Sequence, residues 1–310
     1  MYRRTNLANS FIPAEYRPHI WVKVLPALEN IFYGANLSNI LSAHQNTFLD
    51  LLAWIPYGLL HFAGPVIWSI VMFFFAPPGT VPVFARTFGF MNIAGVAIQL
   101  IFPCSSPWYE NMYGLAPANY SVQGEPAGLA RIDKILGFDM YTSNFKASPL
   151  VFGAFPSLHA GNAVLEALFM SYCFPKLTPV VAGYAMWMWW ATMYLSHHYA
   201  VDLVGGGIIA GVAFFIAKAH FLPQIQMDKS WRWEYDYVEY GEAHTVEYEY
   251  GLTDLDRHDF RHDIDEWTVG SSSSISSGSR SPVDDGQSSW EGETLASQAS
   301  DSELSSVVVR

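Results

Sequence analysis

A series of long apolar stretches, at 49–76, 81–102, 156–173, 179–197 and 201–222, constrains this chain more than any other feature. About 20 apolar residues in helical form cross the ~30 Å of hydrocarbon in a bilayer, so the pattern predicts a polytopic membrane protein. Composition points the same way. Residues are 51% hydrophobic and 16% aromatic, and only 14% are charged, against roughly 25% in soluble domains.

Pro56, Gly58, His61, Gly64 and Pro65 interrupt the first stretch. As a straight helix its 28 residues would reach about 42 Å, so a kinked or broken span is expected. PPGT at 77–80 allows only a tight reversal, which makes the first two spans antiparallel neighbours. Residues 103–155 form a polar loop rich in Pro, Gly, Asn and Tyr, and loops beyond ~15 residues usually carry function. Residues 1–48 mix basic and aromatic side chains without a long apolar run and read as an interfacial or loop segment. The expected fold is an all-α transmembrane bundle of five to six spans, with the catalytic domain at 49–222.

The net charge of -12 is unevenly spread: residues 1–222 hold 10 Lys/Arg against 9 Asp/Glu, and residues 223–310 hold 6 against 19. The last segment is therefore an acidic, Ser-rich tail. Its few aliphatics predict disorder, its serines beside acidic residues suit a kinase, and its place after the last span would make it cytosolic if the 103–155 loop is on the opposite, luminal side. No nucleic-acid partner is expected; the lipid bilayer is. Cys104 and Cys173 show no metal spacing and read as packing residues.

Chemistry concentrates in two motifs. In FGAFPSLHAG at 152–161, Pro156 suits the first turn of a helix, and Ser157 with nearby free N–H groups would form a phosphate-binding helix N-terminus. His159 then lies about one turn inside the membrane helix, where a titratable group is costly. In YLSHHYAVDLVGGG at 194–207, His198 and Asp202 stand four apart and share a face if a helix runs through them. A carboxylate so placed can hold imidazole Nδ1–H and leave Nε2 as nucleophile or base.

The span at 156–173 leaves the long loop and the span at 179–197 returns to it, so both histidines belong on the loop's side of the membrane. The combination suits phosphoryl transfer through a phosphohistidine. His198 attacks phosphorus, Asp202 stabilises the imidazolium, and His159 protonates the leaving oxygen before deprotonating the acceptor. No metal or cofactor is required, and His197, His198 and Asp202 are too crowded along one helix start to face a single ion.

The phosphate-binding candidates are Ser157, Arg131, Lys134 and Arg86, with Lys146 a further cation; basic residues at membrane borders also serve as snorkelling anchors. Glu166, seven residues past His159 on the same face, is a polar partner or substrate contact. Trp187, Trp189 and Trp190 read as packing, and Gly205, Gly206 and Gly207 as a site of close helix approach.

PSLH followed by HxxxD resembles the type 2 phosphatidic acid phosphatase superfamily. PCSSPWYE at 103–110, PAGLARIDK at 126–134, SPLVFGAFPSLHAG at 148–161 and WWATMYLSHHYAVDLVGG at 189–206 narrow the resemblance to the inositol phosphorylceramide synthases of fungi. The resemblance runs from about residue 25 to residue 223. It implies His198 as nucleophile, Asp202 as its partner and His159 as acid/base. It also implies phosphatidylinositol as donor, ceramide as acceptor, diacylglycerol as by-product and a Golgi membrane with the site facing the lumen; whether an accessory membrane subunit is needed stays open.

Two departures stand out. The superfamily's K-x6-R-P element has no match, and Thr192 occupies the place of its Arg before the nucleophile. Five spans would also put the basic N-terminus on the catalytic side, against the positive-inside tendency. Either 20–45 or 49–76 crosses again, or the chain is part of a longer protein. A luminal loop would make the sequons at Asn36 and Asn119 candidate glycosylation sites. The rival functions are a lipid phosphate phosphatase with water as acceptor and a non-catalytic scramblase or subunit.

Overall fold

The computed structural model describes residues 16–226, 228–235, 237–241 and 244–249. Two short helices come first, α1 (Val24–Tyr33) and α2 (Leu37–Ser42). Gly34 ends α1 at φ 74°, and the Asn36 side chain caps α2 by accepting the Asn39 N–H. With 10 and 6 residues, neither reaches the roughly 20 that a crossing requires. Among the described residues, 20–45 thus holds no helix long enough for the extra crossing considered there.

The first apolar stretch forms one helix, α3 (Thr47–Phe75), long and apolar enough for a single crossing. Of the kink or break expected at its Pro and Gly residues, the helix shows no break and instead widens into a single π turn over Ile55–Leu60. That turn shifts the hydrogen-bond ladder around the N–H that Pro56 lacks. The PPGT turn then reverses the chain into α4 (Thr80–Ile101), which packs beside α3 as expected.

The long loop is ordered. It contains α5 (Pro107–Tyr113), α6 (Leu129–Leu136) and α7 (Tyr141–Lys146). Parallel bridges from Trp21 to Cys104 and from Cys104 to Gly153 tie the N-terminal segment to both ends of the loop. The Asp133 carboxylate accepts the Tyr141 and Thr142 N–H groups at 3.0 and 2.8 Å, which fixes the turn between α6 and α7.

Three more helices follow: α8 (Leu158–Cys173), α9 (Thr178–Tyr194) and α10 (Ala200–His220). Helix α8 is the hub, packing against α3, α4, α9 and α10, and Leu165, Phe169 and Met170 on it are fully buried. Helices α3, α4 and α10 are long and apolar enough to cross a membrane on their own. The 16 and 17 residues of α8 and α9 span about 24 and 26 Å, short of the hydrocarbon thickness.

Irregular backbone next to these helices must be buried in protein and satisfied there. Residues 195–199 are all buried; Ser196 and His197 donate their N–H groups to the Met193 and Thr192 carbonyls. The Ser157 N–H donates to the Asp202 carbonyl at 3.0 Å.

Beyond α10 the expected disorder does not begin at 223. A 3-10 turn at Arg232–Glu234 brings the Arg232 guanidinium 4.4 Å from the Phe73 ring centroid at the end of α3. A two-stranded antiparallel hairpin follows, β1 (Tyr237–Tyr240) and β2 (His244–Glu249). Alternating acidic and aromatic residues here have the period of two that suits a strand. The acidic, Ser-rich remainder of the tail from 250 onward, like residues 1–15, lies outside the described residues.

Candidate active site

Helix α8 starts two residues later than its proline suggested. Ser157 is the N-cap, its Oγ accepting the Ala160 N–H at 3.3 Å, and Pro156 precedes the cap. His159 therefore lies in the first turn, beside the loop.

His198 is not on a helix. Helix α9 ends at Tyr194, Ser196 turns the chain with φ 63°, and α10 begins at Ala200. The condition that one helix carries His198 and Asp202 is not met, yet the two side chains still meet. Asp202 sits at the third position of α10 and caps it, Oδ2 accepting the Tyr199 N–H at 2.9 Å. The same oxygen is 3.4 Å from His198 Nδ1, and the Ala154 carbonyl is nearer still at 3.1 Å. Two acceptors at Nδ1 hold the proton there and leave Nε2 as the nitrogen available for chemistry.

The His159 ring lies 5.6 Å, centroid to centroid, from that of His198. Two residues of the π turn region in α3 complete its surroundings: Tyr57 stacks on it at 4.4 Å and His61 approaches at 4.5 Å. Tyr57 also stacks on His197 at 5.3 Å, with Phe145 of α7 4.9 Å from that ring. His197 thus packs between aromatic rings, and among the described residues no group of His, Cys, Asp or Glu is arranged to hold a metal ion.

The proposed phosphate binders are not gathered in one place. Ser157 is fully buried at the head of α8, its hydroxyl engaged in the cap. Arg131 on α6 stands beside the 195–199 link, since the Gly128 N–H donates to the Leu195 carbonyl, but Asp50 clasps it. Its Nε contacts both Asp50 oxygens at 3.0 Å and its Nη2 contacts one at 2.7 Å. The Tyr194 hydroxyl donates to the same carboxylate at 2.9 Å. Lys134, a turn further on, is exposed.

Arg86 lies near the other end of α4 from the site. Gln99 on α4 reaches the Pro156 carbonyl at 2.9 Å, and Arg86 is thirteen residues away along the helix, about 20 Å. Thr192 is fully buried, its hydroxyl donating to the Trp189 carbonyl, so no cation stands where the related motif has one.

Several participants were not singled out from the sequence: Tyr57, His61, the Ala154 carbonyl and Glu29. The fully buried Glu29 of α1 accepts the Ala200 and Val201 N–H groups at 3.2 and 3.1 Å. That fills the start of α10, so of the two helix N-termini at the site only that of α8 remains a phosphate candidate. Glu110 accepts the Tyr199 hydroxyl at 2.8 Å and the Asn36 side-chain N–H at 2.9 Å, which commits this sequon to the fold; Asn119 is exposed.

Below the histidines, Glu166 accepts the Trp68 indole N–H at 3.2 Å, and Gly64 gives it room. The three glycines of α10 lie against Phe155, Ser157 and Trp189, which makes them the expected close approach. Both cysteines are free and buried; burial, then the charge of Asp202, pushes the Cys104 thiol up to about 12.

Residues 20–216, from just before α1 into α10, match the PAP2 superfamily. The chain belongs to that superfamily. This PAP2 chain is 59% identical over 231 residues to the inositol phosphorylceramide synthase catalytic subunit aur1 of Schizosaccharomyces pombe, a match covering 74% of this chain and 55% of that protein. It is 51% identical over 231 residues to the inositol phosphorylceramide synthase catalytic subunit AUR1 of Saccharomyces cerevisiae, covering 74% and 58%. The PAP2 chain spans about half the length of the curated relatives it matches. Among solved structures, that of Aquifex aeolicus LpxE aligns with 58% of this chain and 92% of its own, at 14% identity and a TM-score of 0.39.

Proposed function

We propose that this chain transfers phosphoinositol from phosphatidylinositol to ceramide, giving inositol phosphorylceramide and diacylglycerol. The observation that carries the chemistry is the placement of His198, with Nδ1 between the Ala154 carbonyl and Asp202 and the His159 ring 5.6 Å away on the neighbouring helix. Identity of 59% and 51% to proteins named inositol phosphorylceramide synthase supports the choice of substrates.

In the first half-reaction His198 Nε2 attacks the donor phosphorus. The bond from phosphorus to the glycerol oxygen breaks, His159 gives that oxygen a proton, and diacylglycerol leaves. Asp202 stabilises the positive ring of the resulting phosphoinositol-histidine. His159, now neutral, takes the proton of the ceramide hydroxyl, whose oxygen attacks phosphorus and releases His198. The N-terminus of α8 and Arg131 are the nearest of the phosphate-binding candidates. Ser157 contributes by capping α8, Lys134 lies further out, and Arg86 is assigned no part.

The same reading places the chain in the Golgi membrane with the site towards the lumen. The words "catalytic subunit" in both relatives' names support an accessory membrane subunit as partner. The test supplies membranes containing the chain with fluorescent ceramide and phosphatidylinositol, alongside His198→Ala. A new polar lipid that needs both substrates and disappears in the variant is expected. Phosphate release from phosphatidic acid without any ceramide product would reassign the chain as a lipid phosphatase.

A further inference from the structure

Helix α10 carries Asp202 at its start, and the N–H groups of its first residues have no acceptor within the helix. Three of these donors are taken by carboxylates. Asp202 accepts the Tyr199 N–H, while Glu29, 171 residues before Ala200, accepts those of Ala200 and Val201. Glu29 is fully buried, and each of its oxygens accepts one of these bonds, with the Leu37 N–H a further donor to the same carboxylate.

We infer that Glu29 is a positioning residue for the reaction, keeping Asp202 directed at His198 by occupying the donors that would otherwise draw the Asp202 carboxylate away. This inference rests on the transferase reading above. An aspartate at the third helical position is a natural partner for free N–H groups at the helix start. If Glu29 is removed, the Ala200 and Val201 donors are buried without an acceptor, and Asp202 is the carboxylate within reach. Turning towards them takes Oδ2 from His198 Nδ1, which it now faces at 3.4 Å, and frees the ring to rotate about its remaining bond to the Ala154 carbonyl.

The neighbouring contacts hold α1 and α2 in place for this task. The Ser38 hydroxyl donates to the Met193 carbonyl at 2.8 Å, and Asn36 reaches Tyr199 through Glu110. The segment read from sequence as interfacial or loop thus delivers a carboxylate to the back of the catalytic pair.

The decisive variant is Glu29→Gln, which keeps the size of the side chain but replaces one acceptor by a donor facing an N–H. It is assayed in membranes beside wild type and His198→Ala, with inositol-labelled phosphatidylinositol as donor. The expected result is a fall in kcat of about 10- to 100-fold at unchanged KM for the donor, matched by slower labelling of His198. The amount of folded, monodisperse protein should stay the same.

A kcat within twofold of wild type overturns the inference, as does a loss of kcat that only tracks a loss of folded protein. Should Glu29→Gln fail to fold, Glu29→Asp, which keeps the charge but withdraws it by one methylene, is judged by the same criteria. Wild type no more active than His198→Ala would instead sink the transferase reading itself.

Discussion

Gly206 offers a sharp test of how the two halves of the site are held in register. A Cβ built on it would collide with the Ser157 carbonyl oxygen and come within 3.1 Å of the Gly161 nitrogen. Both obstacles are backbone and cannot swing aside. Reaching an ordinary C···O separation of about 3.3 Å requires α8 and α10 to part by about 1 Å. The Ser157 N–H bond to the Asp202 carbonyl spans this contact, so the separation draws His159 away from His198. Overpacking of this kind costs about 1–3 kcal/mol, while a displacement of ~1 Å at a reacting centre can cost about 100-fold in rate. Gly206→Ala should therefore lose activity far out of proportion to stability. Gly211, on the same helix with nothing within 4 Å of its Cβ position, is the control and should tolerate alanine. The assay is ceramide-dependent product formation in membranes, with thermal unfolding in detergent measured in parallel. A folded Gly206→Ala protein retaining more than about a third of wild-type kcat would refute the argument that this contact sets the distance between the histidines.

Asp202→Asn keeps the shape of the capping side chain but removes its charge, and product formation should drop by at least about 10³-fold with unfolding nearly unchanged; retention of a tenth of the activity would exclude the assigned role. Asp50→Ala leaves Arg131 without its carboxylate and should cost about 1–3 kcal/mol, less than a fully buried pair because Arg131 is partly exposed. A double-mutant cycle with Arg131→Ala checks this, and additive effects would show that the pair contributes nothing. Burial acts to raise the Asp133 carboxyl, but the N–H groups of Thr142 and Tyr141 outweigh it and hold the group below its ordinary value. Its contribution is thus present above the unfolded carboxyl range near pH 4 and is lost as the pH falls through the lower folded value. Asp133→Asn should abolish that acid dependence, read as amide-exchange protection at Tyr141 and Thr142; an unchanged profile would exclude Asp133 as the cause.

The long helices and the two candidate motifs were legible because each rests on a local signal: apolar length for the helices, a Pro-Ser pair for the start of α8, a spacing of four for His198 and Asp202. What local signals could not supply was the route by which that spacing is used. Ser196 turns the chain and α10 begins at Ala200, so the pair meets across a helix cap rather than along a helix face. His61 was visible only as an interruption of an apolar run and Tyr57 not at all, and the π turn that presents the region to His159 has no sequence signature of its own. Glu29 left a trace, as the one acidic residue between 16 and 46, but its partners stand 171 and 172 residues further along the chain. Arg131 shows the converse limit: charge and proximity mark it as a phosphate ligand, and only the structure reveals that Asp50 already holds it.

The bond from Glu29 to Ala200 also bears on how such a chain is made. Synthesis runs from the N-terminus, so Glu29 leaves the ribosome long before the helix it will cap. Until α10 inserts, that carboxylate has no reason to leave water, and α1 can rest at the bilayer surface. Docking of α10 withdraws the acid from solvent and, given the role proposed for Glu29, sets Asp202 against His198 in the same event. On the proposed mechanism, then, the His198–Asp202 pair is complete only once α10 has docked against α1.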